Sequence, residues 1–433
     1  MIDTIMSFAN HLKPVLITSI QLCSLGGLTC HVYAQADLNQ IEQQQYNQYQ
    51  QRLDNLEDKT SKPFVNFSEP TPDTSLKQPP LGESPCFNIY QVNLQLPDES
   101  ALKRQFATIL GPIKYGQGSI LGKCIGQQGL NYALRNVQNE LIEQGFITTQ
   151  ASLLAQDLTS GTLEITITPG RLDNVWRGED GHPKVNVSNA LVLDKGDVIN
   201  LRDIETSLEN FRLPQSHSTT IDIIPSINAA DNEQYGSSDL VVTQKRANRI
   251  QWQLGIDDSG NKDTGQYQGT VSATIDRPLA SNDVLNLSYT HTIDPWNNVD
   301  SASNNESIYA NYRYPYKNWQ LQLTHSDYGF DQTLAGLNED IIYKGRSDNS
   351  AIDVKRIIHR NSKSKTIATI GGYHGNSKNF FDDIEIEVQR RRFAGWKAGI
   401  THQRQTSLGE FNASMQYQRG TGAFSAIAAP ESF

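Results

Sequence analysis

From Arg249 to the C-terminus the chain alternates apolar and polar residues with a period of two. Ile250, Trp252, Leu254 and Ile256 fall on one side, Gln251, Gln253 and Gly255 on the other. After a polar loop, Asp257–Thr264, a second run repeats the pattern, with Tyr267, Val271, Ala273 and Ile275 opposed to Gln268, Thr270, Ser272 and Thr274. Successive side chains on a strand point to opposite faces, so this reads as an antiparallel hairpin with one oily face and one wet face. The wet face is small and polar, like the lining of a water-filled lumen. The oily face carries aromatics at strand ends, like a surface in contact with lipid. A strand pair in a soluble sandwich alternates in the same way, and the hairpin alone does not separate the two.

The alternation predicts about nine strands from Arg249 onward. The clearest are Val284–Ile293, Ile308–Tyr316, Trp319–His325, Trp396–Arg404 and Phe411–Gln418. Ala351–Arg360 and Thr366–Gly375 alternate poorly, and their faces stay unassigned. Short turns such as Tyr316-Lys317-Asn318 alternate with long polar loops such as Asp294–Glu306. Short turns on one side and long loops on the other match a transmembrane barrel.

Upstream the spacing is different. Leu38, Ile41, Tyr46, Tyr49, Leu53 and Leu56 give a loose helical stripe over Asp37–Lys59, on a surface rich in Gln. Residues 60–83 turn to Pro, Ser, Thr and Lys and read as a flexible linker. A strand over Cys86–Leu96 is followed by a helix over Ala101–Leu110, whose apolar side is Leu102, Phe106, Ile109 and Leu110. A Gly-rich turn then carries Cys124. Leu130, Leu134, Val137 and Leu141 mark a stronger helix, Leu130–Gln144, stopped by Gly145. Strands over Ile147–Leu154 and Thr162–Thr168 close the unit at Pro169-Gly170. A second unit follows a similar plan. It has a strand at Arg171–Trp176, an irregular apolar stretch at Val185–Leu193, a helix capped by Asn200 and running to Phe211, and strands at Thr219–Ile224 and Asp239–Thr243.

Composition narrows the class. The chain has 433 residues, a net charge of −10 and a mean hydropathy of −0.51. No apolar run after the N-terminus approaches the ~20 residues of a membrane helix, which excludes a helical membrane protein but not a barrel. The acidic balance argues against nucleic acid as a partner. Lys13, the apolar stretch Val15–Leu28 and Ala34-Gln35-Ala36 read as a secretory signal over residues 1–36, cleaved between Ala36 and Asp37. The plain alternative is a buried core segment, and Thr18, Ser19, Gln21 and Ser24 weaken the apolar region. Cleavage removes Cys23 and Cys30 and leaves Cys86 and Cys124. An even pair in an exported chain suggests one disulfide, worth roughly 4 kcal/mol in the chain-entropy model. Two buried free thiols are the alternative. Without CxxC or nearby His spacing, zinc is not expected.

This order of parts resembles the outer-membrane transporters of two-partner secretion, of the haemolysin-activator and filamentous-haemagglutinin transporter type, within the superfamily of POTRA-bearing barrels. The resemblance covers the chain from about Asp37 to its end. It rests on Ser84-Pro85-Cys86-Phe87 and Gly122-Lys123-Cys124, which match the family's paired cysteines, and on Thr168-Pro169-Gly170-Arg171. Arg212-Leu213-Pro214, the stretch Asp257–Gly269 and Gln418-Arg419-Gly420-Thr421-Gly422-Ala423-Phe424 also fit. The resemblance implies a plug helix at 37–59, the linker at 60–83, α+β POTRA domains at 84–170 and 171–245, and an antiparallel transmembrane β-barrel from 249 to 433. It implies a Cys86–Cys124 disulfide, an outer-membrane location with the POTRA domains in the periplasm, and no cofactor. The partners it implies are outer-membrane lipid and a secreted exoprotein, whose N-terminal secretion domain the POTRA domains would bind. The sequence departs from the family in one respect. Family barrels have sixteen strands and an inward loop with Val-Arg-Gly-Phe/Tyr. Here Val-Arg-Gly is absent and Phe433 falls after about nine strands, so the chain reads as C-terminally truncated with an incomplete barrel.

No catalytic constellation stands out. His291, His325, His359, His374 and His402 are scattered through the strand region and are not expected to bind metal. Gly260–Gly265 lacks the Gly-Lys-Ser/Thr of a phosphate loop. Gln389-Arg390-Arg391-Arg392 is a basic run that could line a lumen or touch anionic head groups, with a solvated strand end as the plainer reading. The function expected from the resemblance is export of a large β-helical exoprotein. Two other readings are kept: a barrel-assembly insertase of the same superfamily, and a non-exporting periplasmic binding remnant. An outer-membrane phospholipase would need a nucleophile–base pair, and none can be nominated.

Overall fold

The structure, a computed structural model, describes residues 21–22, 78–80, 82–96, 100–179, 181, 186–226, 236–260, 265–293, 304–334 and 339–427. The cleavage site Ala36/Asp37, the helix expected over 37–59 and most of the 60–83 linker lie outside them. Of the expected signal segment, β1 (Gln21–Leu22) is described, antiparallel to Ala413 and Ser414.

The first α+β unit begins with β2 (Phe87–Ile89) and β3 (Gln91–Gln95). These divide the single strand expected over Cys86–Leu96. The break at Tyr90 has a cause far along the chain: the Tyr90 and Gln91 amides both donate to the Gly161 carbonyl, at 2.8 and 3.1 Å. The chain thereby leaves one sheet for another. The expected helix over Ala101–Leu110 also divides, into α1 (Ser100–Gln105) and α2 (Gly111–Lys114). Pro112, at the start of α2, has no amide hydrogen and suits the first turn of a new helix rather than the interior of a continuing one. Cys124 sits in β4 (Lys123–Ile125), paired with β2, and not in a turn.

α3 (Gln127–Glu143) starts three residues before its apolar stripe because its cap comes from elsewhere. The Glu83 carboxylate accepts from the Gly126, Gln128 and Gly129 amides at 2.8, 2.7 and 2.9 Å. Those amides have no partner inside the helix and favour an anion. The approach is close enough to require glycine: a Cβ on Gly126 would lie 2.7 Å from the Glu83 Cβ and 2.8 Å from the Pro85 oxygen. Desolvation raises the Glu83 pKa, but the three amides outweigh it and hold the carboxyl below its ordinary value of 4.5. A depressed folded pKa contributes stability that is complete above the unfolded value and is lost as pH falls through the folded one. Glu83→Gln should therefore weaken this unit at neutral pH. The denaturation midpoints of parent and variant should converge below pH 4.5; a gap that persists in acid would contradict this account.

The unit is completed by β5 (Gln150–Ser152) and β6 (Thr162–Thr168). Its main sheet runs β3–β6–β5, with β3 parallel and β5 antiparallel to β6. Phe106, Ile109, Ile113, Val137, Leu141, Leu163 and Ile165 form its core. The second unit repeats that topology. β7 (Arg171–Arg177), α4 (Leu201–Phe211), β8 (His217–Pro225) and β9 (Ser237–Arg246) give a sheet of order β7–β9–β8, again with one parallel and one antiparallel pair. Asn200 caps α4 by accepting from the Arg202 amide, and Leu201, Ile204, Leu208 and Phe211 are buried as their spacing predicts.

Among the described residues from Ile250 onward, nine long antiparallel strands are each hydrogen-bonded to the next along one sheet. They are β10 (Ile250–Asp257), β11 (Gln268–Asp276), β12 (Val284–Thr292), β13 (Asn304–Tyr316), β14 (Trp319–Leu334), β15 (Ile341–Arg360), β16 (Ser364–Phe381), β18 (Arg391–Thr406) and β19 (Gly409–Thr421). A short β17 (Ile384–Glu385) lies against β16. Among the described residues β10 and β19 do not pair with each other, so the sheet is open.

Register assigns the faces. Ile250, Ile275, Leu285, Tyr312, Leu323, Ile352, Gly372 and Trp396 lie opposite one another across eight strands. One register row away run Thr274, Asn286, Asn311, Thr324, Ala351, Tyr373 and Gly395. Trp252 and Leu254 are 69% and 76% exposed, so the oily face is not packed between two sheets and the soluble-sandwich alternative falls. β15 and β16 alternated poorly in the sequence for two reasons. A bulge between Ile357 and His359 shifts the phase of β15, and Gly371, Gly372 and Gly375 leave gaps in the pattern of β16.

Candidate functional site

Among the described residues β3 stands on the edge of its sheet, with β6 on one side and a cleft of about 530 Å³ alongside. Val92, Leu94 and Leu110 supply apolar lining, Asn93 and Gln95 polar lining, and Lys114 and Glu164 stand as opposite charges. Backbone groups along a free edge strand can hydrogen-bond an added strand, and an adjoining apolar cleft can take its side chains. The lining comes from β3, the turn before α2, α2 itself and β6, so no local spacing in the sequence marks it.

The wet face of the nine-stranded sheet is a ladder of small polar groups. Thr270 bonds Thr290 at 3.0 Å, Ser272 bonds Ser288 at 2.9 Å, Thr274 donates to Asn286 at 3.0 Å, and Asn311 donates to Thr324 at 3.0 Å. Farther round, Lys355 donates to Gln322 at 2.7 Å and Lys397 pairs with Asp353 at 3.0 Å. Toward the end with the long hairpins the same face turns aromatic. Tyr328, Phe330 and Tyr343 are buried there beside Ile386, and the Tyr343 hydroxyl donates to Gln389.

The short turns of the sheet rest on the second unit. Asn189 is at the centre: its Nδ2 donates to the Ser281 and Pro315 carbonyls, its Oδ1 accepts from Asn282, and its carbonyl accepts from the Lys317 amide. Asn210 Nδ2 donates to the Lys317 carbonyl at 2.8 Å, and Lys317 pairs with Asp194. Asn282 and Lys317 both have positive φ, 65° and 53°, as tight turns require. On α4, Asp203 is pushed up to about 6, first by burial and then by Asp197, with Arg360 opposing. The turn Tyr316-Lys317-Asn318 was legible in the sequence, but its docking on Asn189 was not.

Among the residues singled out from the sequence, Cys86 and Cys124 are joined, with Cα atoms 5.3 Å apart. Of the basic run, Arg390 pairs with Glu385, and Arg391 and Arg392 begin β18 on opposite faces. His325 bonds Ser350 and His402 bonds Thr366, each across a strand pair. Among the described residues no three His, Cys, Asp or Glu side chains group as metal ligands.

The family model for haemolysin secretion/activation proteins, ShlB/FhaC/HecB, matches residues 236–432, and the ShlB-type POTRA model matches 112–170. Over both stretches the chain is similar to the transporters of two-partner secretion. It is 27% identical over 397 residues to the outer membrane transporter CdiB-2 of Burkholderia pseudomallei strain 1026b, covering 90% of this chain and 66% of the relative. It is 23% identical to the hemolysin transporter HpmB of Proteus mirabilis, covering 92% and 64%. The solved structure of CdiB from Acinetobacter baumannii superposes with a TM-score of 0.76 at 29% identity, over 90% of this chain and 72% of that one. CdiB from Escherichia coli, at 22% identity and a TM-score of 0.71, shares the fold. The chain spans between 57% and 66% of the length of the first curated relatives.

The relatives are named outer membrane transporters, and the oily and wet faces of the nine-stranded sheet suit a place in that membrane, with the POTRA-like stretch on its periplasmic side. The faces then have distinct tolerances. Ile370, midway along β16 and 61% exposed on the oily side, meets hydrocarbon. Ile370→Arg should cost about 2–4 kcal/mol of folding free energy in a bilayer. Thr401→Arg, on the wet face, should cost under about 1 kcal/mol. Denaturant titration in phospholipid vesicles measures both, and equal costs would contradict the facial assignment.

Proposed function

We propose that the chain serves two-partner secretion: it recognises a large β-helical exoprotein in the periplasm and guides it across the outer membrane. In this reading residues 84–170 and 171–245 are the two POTRA domains, residues 37–59 form the plug helix behind a linker at 60–83, and residues 1–36 are the export signal. The observation that carries the proposal is the free-edged β3 with its half-apolar cleft, in a unit linked to a sheet with one oily and one wet face. An unfolded secretion domain adds itself to β3 as a further strand. Main-chain hydrogen bonds supply affinity, and the part of the cleft at the half-buried Leu94 receives side chains of the added strand. The small hydroxyl and amide groups of the wet face offer a passing chain hydrogen bonds that are individually weak and quickly exchanged. Its relatives bear the names of hemolysin and CdiB transporters, which supports an exoprotein as cargo.

Leu94→Glu puts a carboxylate into the cleft beside Glu164. It should lower capture of the unfolded secretion domain about tenfold or more, while β2–β6 stay folded. Deletion of residues 84–245 should abolish secretion of the exoprotein. Secretion undiminished by that deletion would overturn the recognition role.

A further inference from the structure

A cluster of five charged side chains joins α4 of the second unit to the turn between β15 and β16. Glu205, fully buried, lies between Arg202 at 2.7 Å and Arg360 at 3.0 Å. Glu209 pairs with Arg360 at 3.0 Å and with Lys365 at 3.1 Å. The Arg360 side chain is 4% exposed and that of Lys365 10%. Arg360 and Lys365 stand directly opposite each other on the β15–β16 ladder. Like charges in that position repel unless carboxylates come between them. Glu205 and Glu209, one helical turn apart on α4, supply those carboxylates.

Arg360 reaches the cluster through the bulge. With unbroken alternation, residue 360 would share a face with Ile352 and Val354, the oily one. The extra residue Ile358, 53% exposed, shifts the phase, so that Ile357 still pairs with Ile367 but Arg360 pairs with Lys365. Lys365 lies on the wet face, in phase with Gly371 opposite Asp353. Bulges re-aim side chains in this manner.

We infer that Arg202, Glu205, Glu209, Arg360 and Lys365 form a positioning lock that sets the tilt of the second unit beneath the sheet, and that the Ile358 bulge exists to aim Arg360 into it. The unit then meets the sheet at separate anchor points. Asn189 and Asn210 contact the turns at 281–282 and 317, and the Ser216 amide donates to Asp276 of β11 at 2.7 Å. The ionic cluster adds a contact at the turn between β15 and β16. Polar contacts confined to β11–β14 leave a pivot, and the ionic cluster on β15–β16 removes it. Buried ion pairs suit this task, because every tilt that separates them strands a charge away from water. The inference concerns geometry and does not depend on what the protein exports.

The test is a distance measurement by pulsed electron spin resonance on the full chain in phospholipid vesicles. Spin labels replace Asp222 on β8 and Leu408 in the turn after β18, both exposed, and Cys23 and Cys30 become serine. The parent should give one narrow distance distribution. Arg360→Gln should broaden it severalfold, and Arg360→Lys should narrow it again in part. Glu209→Lys alone should also broaden it, and adding Lys365→Glu should restore the parent distribution, which simple loss of packing would not do. If Arg360→Gln fails to fold, the Glu209 and Lys365 series decides alone. Distributions unchanged in all single variants, or a reversed pair no narrower than its singles, would overturn the lock.

Discussion

Truncating Phe106 to alanine should destabilise the first α+β unit by about 3–5 kcal/mol. Phe106 is fully buried and meets Phe146 edge-to-face at 4.9 Å between ring centres. It follows directly on α1, so its ring ties that short helix to Ile109, Ile113 and Leu141. The loss has two parts: the transfer of a large apolar group, and the cavity left where α1 is too short to collapse onto α3. Single domains are stable by only about 5–15 kcal/mol, so the variant should open often enough to be seen. Amide exchange in α3 and β6 should accelerate by two or more orders of magnitude, while exchange in β11–β16 stays as in the parent. Phe106→Leu, which keeps most of the volume, should cost under about 2 kcal/mol. Unaltered protection of α3 in Phe106→Ala would mean that this core does not hold the unit together.

Elements whose causes are local were legible in the sequence, and those whose causes are distant were not. α4 is local: its cap, Asn200, adjoins a stripe of Leu201, Ile204, Leu208 and Phe211 that fits one helical face. β6 matches its expected span, Thr162–Thr168, because strict alternation needs no outside help. The count of about nine strands from Arg249 holds for the same reason. By contrast, β2 and β3 read as one strand because the carbonyl that divides them belongs to Gly161. The early start of α3 depends on Glu83, more than forty positions upstream. The poor alternation of β15 comes from a bulge, with a consequence for Arg360. The same division applies to the candidate site. The wet and oily faces of the sheet follow from period-two patterning. The cleft beside β3 and the seat of Asn189 are assembled from separate stretches, and only the folded chain brings them together.

Removing the disulfide, as the double variant Cys86→Ala with Cys124→Ala, should cost the first unit about 4 kcal/mol, the chain-entropy value for a closed loop with its 38-residue separation. The native structure gives the bond more to do than shorten the unfolded chain. It fastens β2 to β4, a pair of three-residue strands too short to persist alone. Glu83 lies just upstream of Cys86, so the same bond holds the carboxylate over the first turn of α3. Cleavage of the bond should therefore release the cap as well. Two losses that share one cause are not additive. Combining Glu83→Gln with the cysteine pair should cost less than the separate effects summed, by a margin close to the whole effect of Glu83→Gln alone. Denaturant unfolding of the four proteins in the cycle, read by amide exchange in α3, measures this coupling. Full additivity would show that the cap keeps its place without the covalent tether, and that the disulfide acts on the unfolded chain alone.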